Sequence, residues 1–307
     1  MKTSGVKAYF SDLWQITKNT AKEWNEADPF RQSAVVAYYA IFSIPALLVI
    51  VIALAGLAFG REAIQGEISN QINAAMGQET AKQVEEIIAK SSGQKNSIIA
   101  TVISVVTLIL GSTGVFAQLQ TSLNQIWEVK VSAKKKWLKT VRDRLFSFGL
   151  VLSIGFLMLI SLLLTTGLEA FSEWIKGRLP DFMLYVFKLL NFIVSFGVIS
   201  VLFALMFKIL PDAKVKWRDV WIGAIVTTLL FILGKFLLGI YFAKASPGSA
   251  YGAAGSIVLI MLWVSYSCMI LFFGAEFTKQ FAVFHGRNVE PKRDAELIDK
   301  AEEEKKK

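Results

Sequence analysis

Three ionisable side chains, Lys188, Lys235 and Glu276, lie inside long apolar blocks of this 307-residue chain. A charge at the centre of a bilayer costs roughly 2.5 to 3.5 kcal/mol on insertion scales, so each of them marks a candidate site. Asn191 follows Lys188 by one helical step of three residues and adds amide donors and an acceptor on the same face. Lys235 and Lys188 both fall roughly 9 to 12 Å in from the same surface, so with Asn191 they could form an outward-opening pocket that binds phosphate or carboxylate. The competing reading is that both lysines extend their four-carbon stems to the outer headgroups and bind no substrate. Glu276 lies near the opposite end of its block and cannot reach them. Its expected partner is a basic residue such as Arg218, Lys208 or Arg144.

Helix-breaking and small residues mark the candidate structural or gating positions. Pro45, which closes the stretch Tyr38-Tyr39-Ala40-Ile41-Phe42-Ser43-Ile44-Pro45, frees the carbonyl of Ile41 and is expected to kink its helix. Gly111-Ser112-Thr113-Gly114, followed by Gln118, Gln120 and Asn124, makes a segment that is small and then polar. Such a face packs closely against a neighbour or lines a wet cavity. With one histidine, His285, and one cysteine, Cys268, the chain can build no His/Cys metal cluster and no internal disulfide. Nucleotide-binding, serine-hydrolase and zinc-protease motifs are absent from the sequence, so no catalytic residue, metal or cofactor is expected.

The elements that must position these residues are helices that cross a membrane. Hydrophobic residues make up 54% of the chain and the mean hydropathy is +0.50. The apolar residues lie in blocks of twenty or more, which matches the ~30 Å hydrocarbon core. Six spans are expected at about 34–59, 97–117, 145–168, 182–207, 219–243 and 255–279, each helical because hydrocarbon satisfies no backbone polar group. Residues 1–33, the loops 118–144 and 208–218 and the tail from 279 carry 24 lysines and arginines, against seven in the other three loops. That bias places both termini in the cytoplasm. The fold expected is all-α: a polytopic integral membrane protein, with a cytoplasmic amphipathic segment over 1–33, a six-span domain over 34–281 and a charged cytoplasmic tail over 282–307.

Val6, Phe10, Leu13, Trp14 and Thr17 recur at helical spacing, which predicts an interfacial helix on the cytoplasmic face. Ile64, Ile68, Ile72 and Met76 form one stripe in the first loop and Val84, Ile87 and Ile88 another, so two short external helices are expected. The Lys- and Glu-rich tail after Gly286 is read as mobile or as a solvated helix. The net charge of +9 is read as orientation and contact with anionic headgroups of membrane lipids, with no nucleic-acid partner. A homo-oligomer is left open.

Several stretches taken together resemble the YihY or virulence-factor BrkB family of bacterial inner-membrane proteins, once labelled ribonuclease BN. They are Ala37 to Pro45, Leu123-Asn124-Gln125-Ile126-Trp127, Leu210-Pro211-Asp212-Ala213-Lys214-Val215-Lys216-Trp217-Arg218-Asp219, Gly234-Lys235, Ser249 to Gly255, and Leu271-Phe272-Phe273-Gly274-Ala275-Glu276. The resemblance implies a six-span protein of the bacterial inner (plasma) membrane and supplies no substrate. The function expected is that of a transporter or flippase-like protein for an anionic or amphipathic, lipid-like substrate. The alternatives are a non-transporting envelope scaffold and, behind it, a membrane-bound ribonuclease.

Overall fold

Residues 255–284 contain no proline, and glycine only at 255 and 274, so nothing removes a donor from the helical ladder. They form one 30-residue helix. The computed structural model describes residues 6–76, 78–92, 114–131, 182–245, 247, 251, 254–293 and 295–298, with Pro45 and Lys188 as backbone only. In chain order the elements are α1 (Val6–Glu26), α2 (Pro29–Phe59), α3 (Arg61–Met76), α4 (Gln78–Ser92) and α5, described over 114–126. Then come β1 (Val129–Val131), α6 (Phe182–Ile209), β2 (Ala213–Lys214), α7 (Trp217–Ala245), α8 (Gly255–Phe284), β3 (Glu290–Pro291) and β4 (Ala295–Leu297). The long helix α8 is the axis, with α2, α7 and α1 packed along it.

Three helices among the described residues are long and apolar enough to cross a membrane: Tyr185–Ile209, Trp217–Phe242 and Gly255–Phe284. The expected spans 182–207, 219–243 and 255–279 fall within α6, α7 and α8, which contain these stretches, and 34–59 falls within α2. The spans 97–117 and 145–168 lie outside the described residues, apart from 114–117 at the start of α5. Through Pro45, α2 continues as one helix. It begins at Pro29, where a missing N–H is harmless, after Asp28 at φ 53°. The hydrogen bond from Arg31 holds the Asp28 carboxyl below its ordinary range.

Between 60 and 92 the two short helices are present. Gly60 at φ 85° turns the chain out of α2, and Ile64 and Val84 bury against Ile52, with Ile68, Ile72 and Ile260 around them. The helix α1 also forms, but its buried face differs from the expected stripe. Ile16 and Thr20 are buried, Trp24 Nε1 donates to the Met269 carbonyl at 3.2 Å, and Leu13 and Trp14 stay exposed. At about 100° per residue Trp14 points well over a quarter turn away from the Ile16–Thr20 face, so the helix docks on α8 with that face and presents Trp14 outward.

Beyond Gly286 the described residues up to 298 form no helix, and among the described residues the fold is all-α except for the two ladders the tail makes. Strand β4 pairs antiparallel with β1, Lys130 opposite Glu296, and β3 pairs with β2, Lys214 opposite Glu290. The expectation failed because few apolar residues are needed when backbone pairing and opposite-charge cross-strand pairs do the ordering. Lys292 N donates to the Asp212 carbonyl at 2.7 Å and Ile298 N to the Glu128 carbonyl at 2.9 Å, extending both attachments.

The seam between α7 and α8 is built from two reciprocal pairs. A Cβ on Gly223 would lie 1.8 Å from Thr278 Oγ1, and a Cβ on Gly274 would lie 1.8 Å from Thr227 Oγ1. Each threonine hydroxyl donates within its own helix, Thr227 to the Gly223 carbonyl and Thr278 to the Gly274 carbonyl. The polar groups are thereby satisfied while the backbones approach closely, as membrane helices require. Gly274→Ala should destabilise the protein by about 1 to 3 kcal/mol, read as a lower melting temperature in detergent. Adding Thr227→Gly should restore most of the loss, and Gly239→Ala, with nothing within 4 Å of its Cβ, should change little.

Candidate functional site

The two membrane lysines are set apart by the way α6 meets α7. Ser200 Oγ and Thr228 Oγ1 touch at 3.1 Å, and Phe203 packs edge-on against Phe231. Counted from Ser200–Thr228, Lys235 lies seven residues along α7 and Lys188 twelve along α6. The difference of five residues is about 7.5 Å of helix rise, so they do not share a level. The depths read from the ends of the apolar blocks ignored the hydroxyl contact that fixes the register. Asn191, half-buried and bonded, stands nine residues along, nearer the level of Lys235. Lys235 itself is exposed, amid exposed Leu233, Phe236 and Leu237.

Of the small and kinking positions, Gly111 lies outside the described residues and Gly114 is explained by packing. A Cβ there would fall 2.5 Å from the Tyr39 ring, so the glycine lets α5 approach α2. Tyr38 is exposed and meets Tyr39 and Phe42 edge-on at centroid distances of 5.7 and 5.3 Å. Asn124 is a clamp. Its Oδ1 accepts from Asp212 N at 2.7 Å and its Nδ2 donates to Asp212 Oδ2 at 2.8 Å, tying α5 to the turn after α6.

Glu276 is 1% exposed, and its ion-pair partner among the described residues is Lys279 rather than Arg218 or Lys208. Lys279 Nζ lies 3.6 Å from Glu276 Oε1 and 2.9 Å from Glu128 Oε1, and Gln280 Nε2 donates to Glu276 at 2.8 Å. The reason is local: Lys279 is one turn on along the same helix and points into the same face. Arg218 is exposed on the first turn of α7, Lys208 donates to the Val215 carbonyl instead, and Arg144 lies outside the described residues. Glu128 has φ 53°, the left-handed conformation that ends α5, where glycine is the usual residue.

At this same end, β2, the start of α7, the end of α6 and the tail enclose a cavity of about 440 Å³. Its polar lining includes Lys208, Lys214, Lys216, Asp219, Arg287 and Glu290, and Trp127 and Trp217 supply aromatic walls. Arg287 pairs with the buried Asp219, Lys214 lies 3.4 Å from Glu290, and Lys208 Nζ sits 5.4 Å above the Trp217 ring. Sequence reasoning missed this group. Asp212, Lys214, Lys216 and Asp219 stand together in the stretch 210–219 that carries part of the family resemblance, while Arg287 and Glu290 looked like solvated tail charges. The alternating polar and apolar residues around Ala213 and Lys214 were the available strand signal.

Removing the cation between Glu276 and Glu128 should be severe. Lys279→Met should cost roughly 3 to 5 kcal/mol by leaving a buried carboxylate uncompensated. In Glu276→Gln/Lys279→Met, which removes both charges, most of that loss should return. Chemical denaturation of the purified protein compares the two variants.

The model of the virulence factor BrkB family matches residues 20–297. The relatives found are named UPF0761 membrane proteins. One from Tolumonas auensis is 30% identical over 186 residues, covering 60% of this chain and 58% of its own length. Another from Verminephrobacter eiseniae is 24% identical over 285 residues, covering 89% of this chain and 64% of its own. A third from Idiomarina loihiensis is 26% identical over 220 residues, covering 71% of this chain and 72% of its own. The chain thus spans about three-fifths of the length of the first two relatives. No solved structure matches. A family match over nearly the whole chain, joined to three helices of membrane length, places the protein in the virulence factor BrkB family of membrane proteins.

Proposed function

We propose that this is a six-span protein of the bacterial inner (plasma) membrane, both termini cytoplasmic, that acts as a transporter or flippase-like protein for an anionic, amphipathic, lipid-like substrate. The topology is supported by the ladders: β1 and β2, from two separate loops, both pair with the tail, and these are the segments richest in Lys and Arg. Trp24 ties α1 to the middle of α8, at Met269 and Phe273. No catalytic role enters this reading.

The observation that carries the substrate class is the cation-rich cavity at the end of membrane-length helices. From its rim, Trp217, Trp221, Ile225, Leu229 and Leu233 follow one another at four-residue intervals along α7, all exposed. A cationic end beside a continuous apolar track is the complement of an amphipathic anion. Lys235, exposed further along α7, is proposed as a second cation on the route, with Lys188 and Asn191 on the neighbouring helix. The scaffold reading keeps one observation, the ladders and ion pairs that stiffen the tail end.

Purified full-length protein reconstituted in phosphatidylcholine vesicles, with fluorescent phosphatidylglycerol and a membrane-impermeant quencher, tests the proposal. Lipid should cross at least about tenfold faster than in protein-free vesicles, and Lys235→Ala should slow it where Lys235→Arg does not. Crossing no faster than in empty vesicles overturns transport and leaves the scaffold. A Lys235→Ala rate equal to wild type removes that residue from the route.

A further inference from the structure

The cavity lined by Trp127 and Trp217 holds four cations against two carboxylates. Arg287 is taken by Asp219 and Lys214 is near Glu290, while Lys208 and Lys216 make no ion pair among the described residues. Lys208 is anchored, donating to the Val215 carbonyl and lying over the Trp217 ring. Lys216 is exposed. The lining therefore carries an excess of two positive charges, with one exposed ammonium outside any of these pairs.

A second observation is independent of charge. Trp127 is 1% exposed, and its indole N–H is buried with no acceptor among the described residues. Such groups are rare, because a buried donor without a partner costs about 1 to 3 kcal/mol. Trp127 lines the cavity, so a ligand oxygen that reached this N–H would supply the missing acceptor. The volume of about 440 Å³ accommodates a headgroup and leaves a simple ion loosely held. The apolar stripe Trp217, Trp221, Ile225, Leu229 starts at the rim, and tryptophan is the residue that settles at headgroup level.

We propose that this cavity binds the phosphate of an anionic phospholipid headgroup, with the acyl chains laid along the exposed stripe of α7. The site rests on the reading that this end of the bundle lies at a membrane surface, and it does not require that lipid be moved. Lys216 closes on the phosphate, Arg287 and Lys214 supply the flanking positive field, and Lys208 keeps Trp217 upright as the wall between headgroup and chains.

The test uses full-length protein in nanodiscs of phosphatidylcholine containing a minority of phosphatidylglycerol, with the lipid retained by the protein counted by native mass spectrometry. Wild type should retain phosphatidylglycerol in preference to phosphatidylcholine. Lys216→Glu should cut that retention about tenfold, while Lys216→Arg should keep it. Lys244→Glu, a charge reversal at the other end of α7, should leave it unchanged. Lys216 and Lys244 are both exposed, so melting temperatures should match wild type. Equal retention of the two lipids, or the same loss in Lys244→Glu, overturns the site. Calorimetric titration of inorganic phosphate into phosphatidylcholine-only discs separates the sources. Binding that depends on Lys216, without phosphatidylglycerol enrichment, assigns the cavity to a soluble phosphate and overturns the lipid assignment. A protein that retains phosphatidylglycerol here but moves none across vesicles keeps the site and loses the transport reading.

Discussion

The close approach of α7 and α8 at Gly223, Thr227, Gly274 and Thr278 is the constraint on which the tail end of the molecule depends. In a bilayer, apolar helices gain little by exchanging lipid contacts for each other, so shape and satisfied polar groups must hold them. Each glycine makes room for the opposing threonine, and each threonine returns its hydroxyl to its own helix. Asp219 lies one turn before Gly223 on α7, and Glu276 lies between Gly274 and Thr278 on α8, so the packing of four small residues places both buried carboxylates. A wider seam would part Asp219 from Arg287 and open the cavity wall.

From there the structure builds outward by satisfying charge. Glu276 is compensated by Lys279, which also reaches Glu128 at the end of α5. Asn124, a turn earlier on α5, binds the backbone and side chain of Asp212, whose carbonyl receives Lys292 of the tail. The tail is therefore held by backbone pairing and by groups that would be unsatisfied without it. The cations left over, Lys208 and Lys216, are the ones that face the cavity. Surplus positive charge is collected where the tail, β2 and α7 converge, beside the helix face most apolar at its surface.

The long helices were legible because their signal is length of apolar sequence, and α2, α6, α7 and α8 contain the spans read from it. The helical stripes of Ile64, Ile68 and Ile72 likewise located α3 and its buried face. Less was legible of the site. Glu276, Asn124 and Gly114 were singled out for being costly, polar or small, yet their partners, Lys279, Asp212 and Tyr39, depend on which helices meet. The offset between Lys188 and Lys235 depends on a Ser200–Thr228 contact that no single helix reveals. Strands of two or three residues carry too little periodicity to be seen, so a paired tail read as a solvated one. The Gly-x-x-x-Thr spacing at 223–227 and 274–278 was visible in the sequence and would have pointed to the seam.

In the proposed site the tail folds back on two loops and completes a cation-lined cavity around a lipid phosphate. An electron cryomicroscopy map of the protein in nanodiscs containing phosphatidylglycerol would show it. The β1–β4 and β2–β3 ladders should be formed, with phosphate density among Lys216, Trp217 and Arg287 and acyl density along Trp221 and Ile225. A tail separated from both loops, or formed ladders around a cavity without headgroup density, would contradict it.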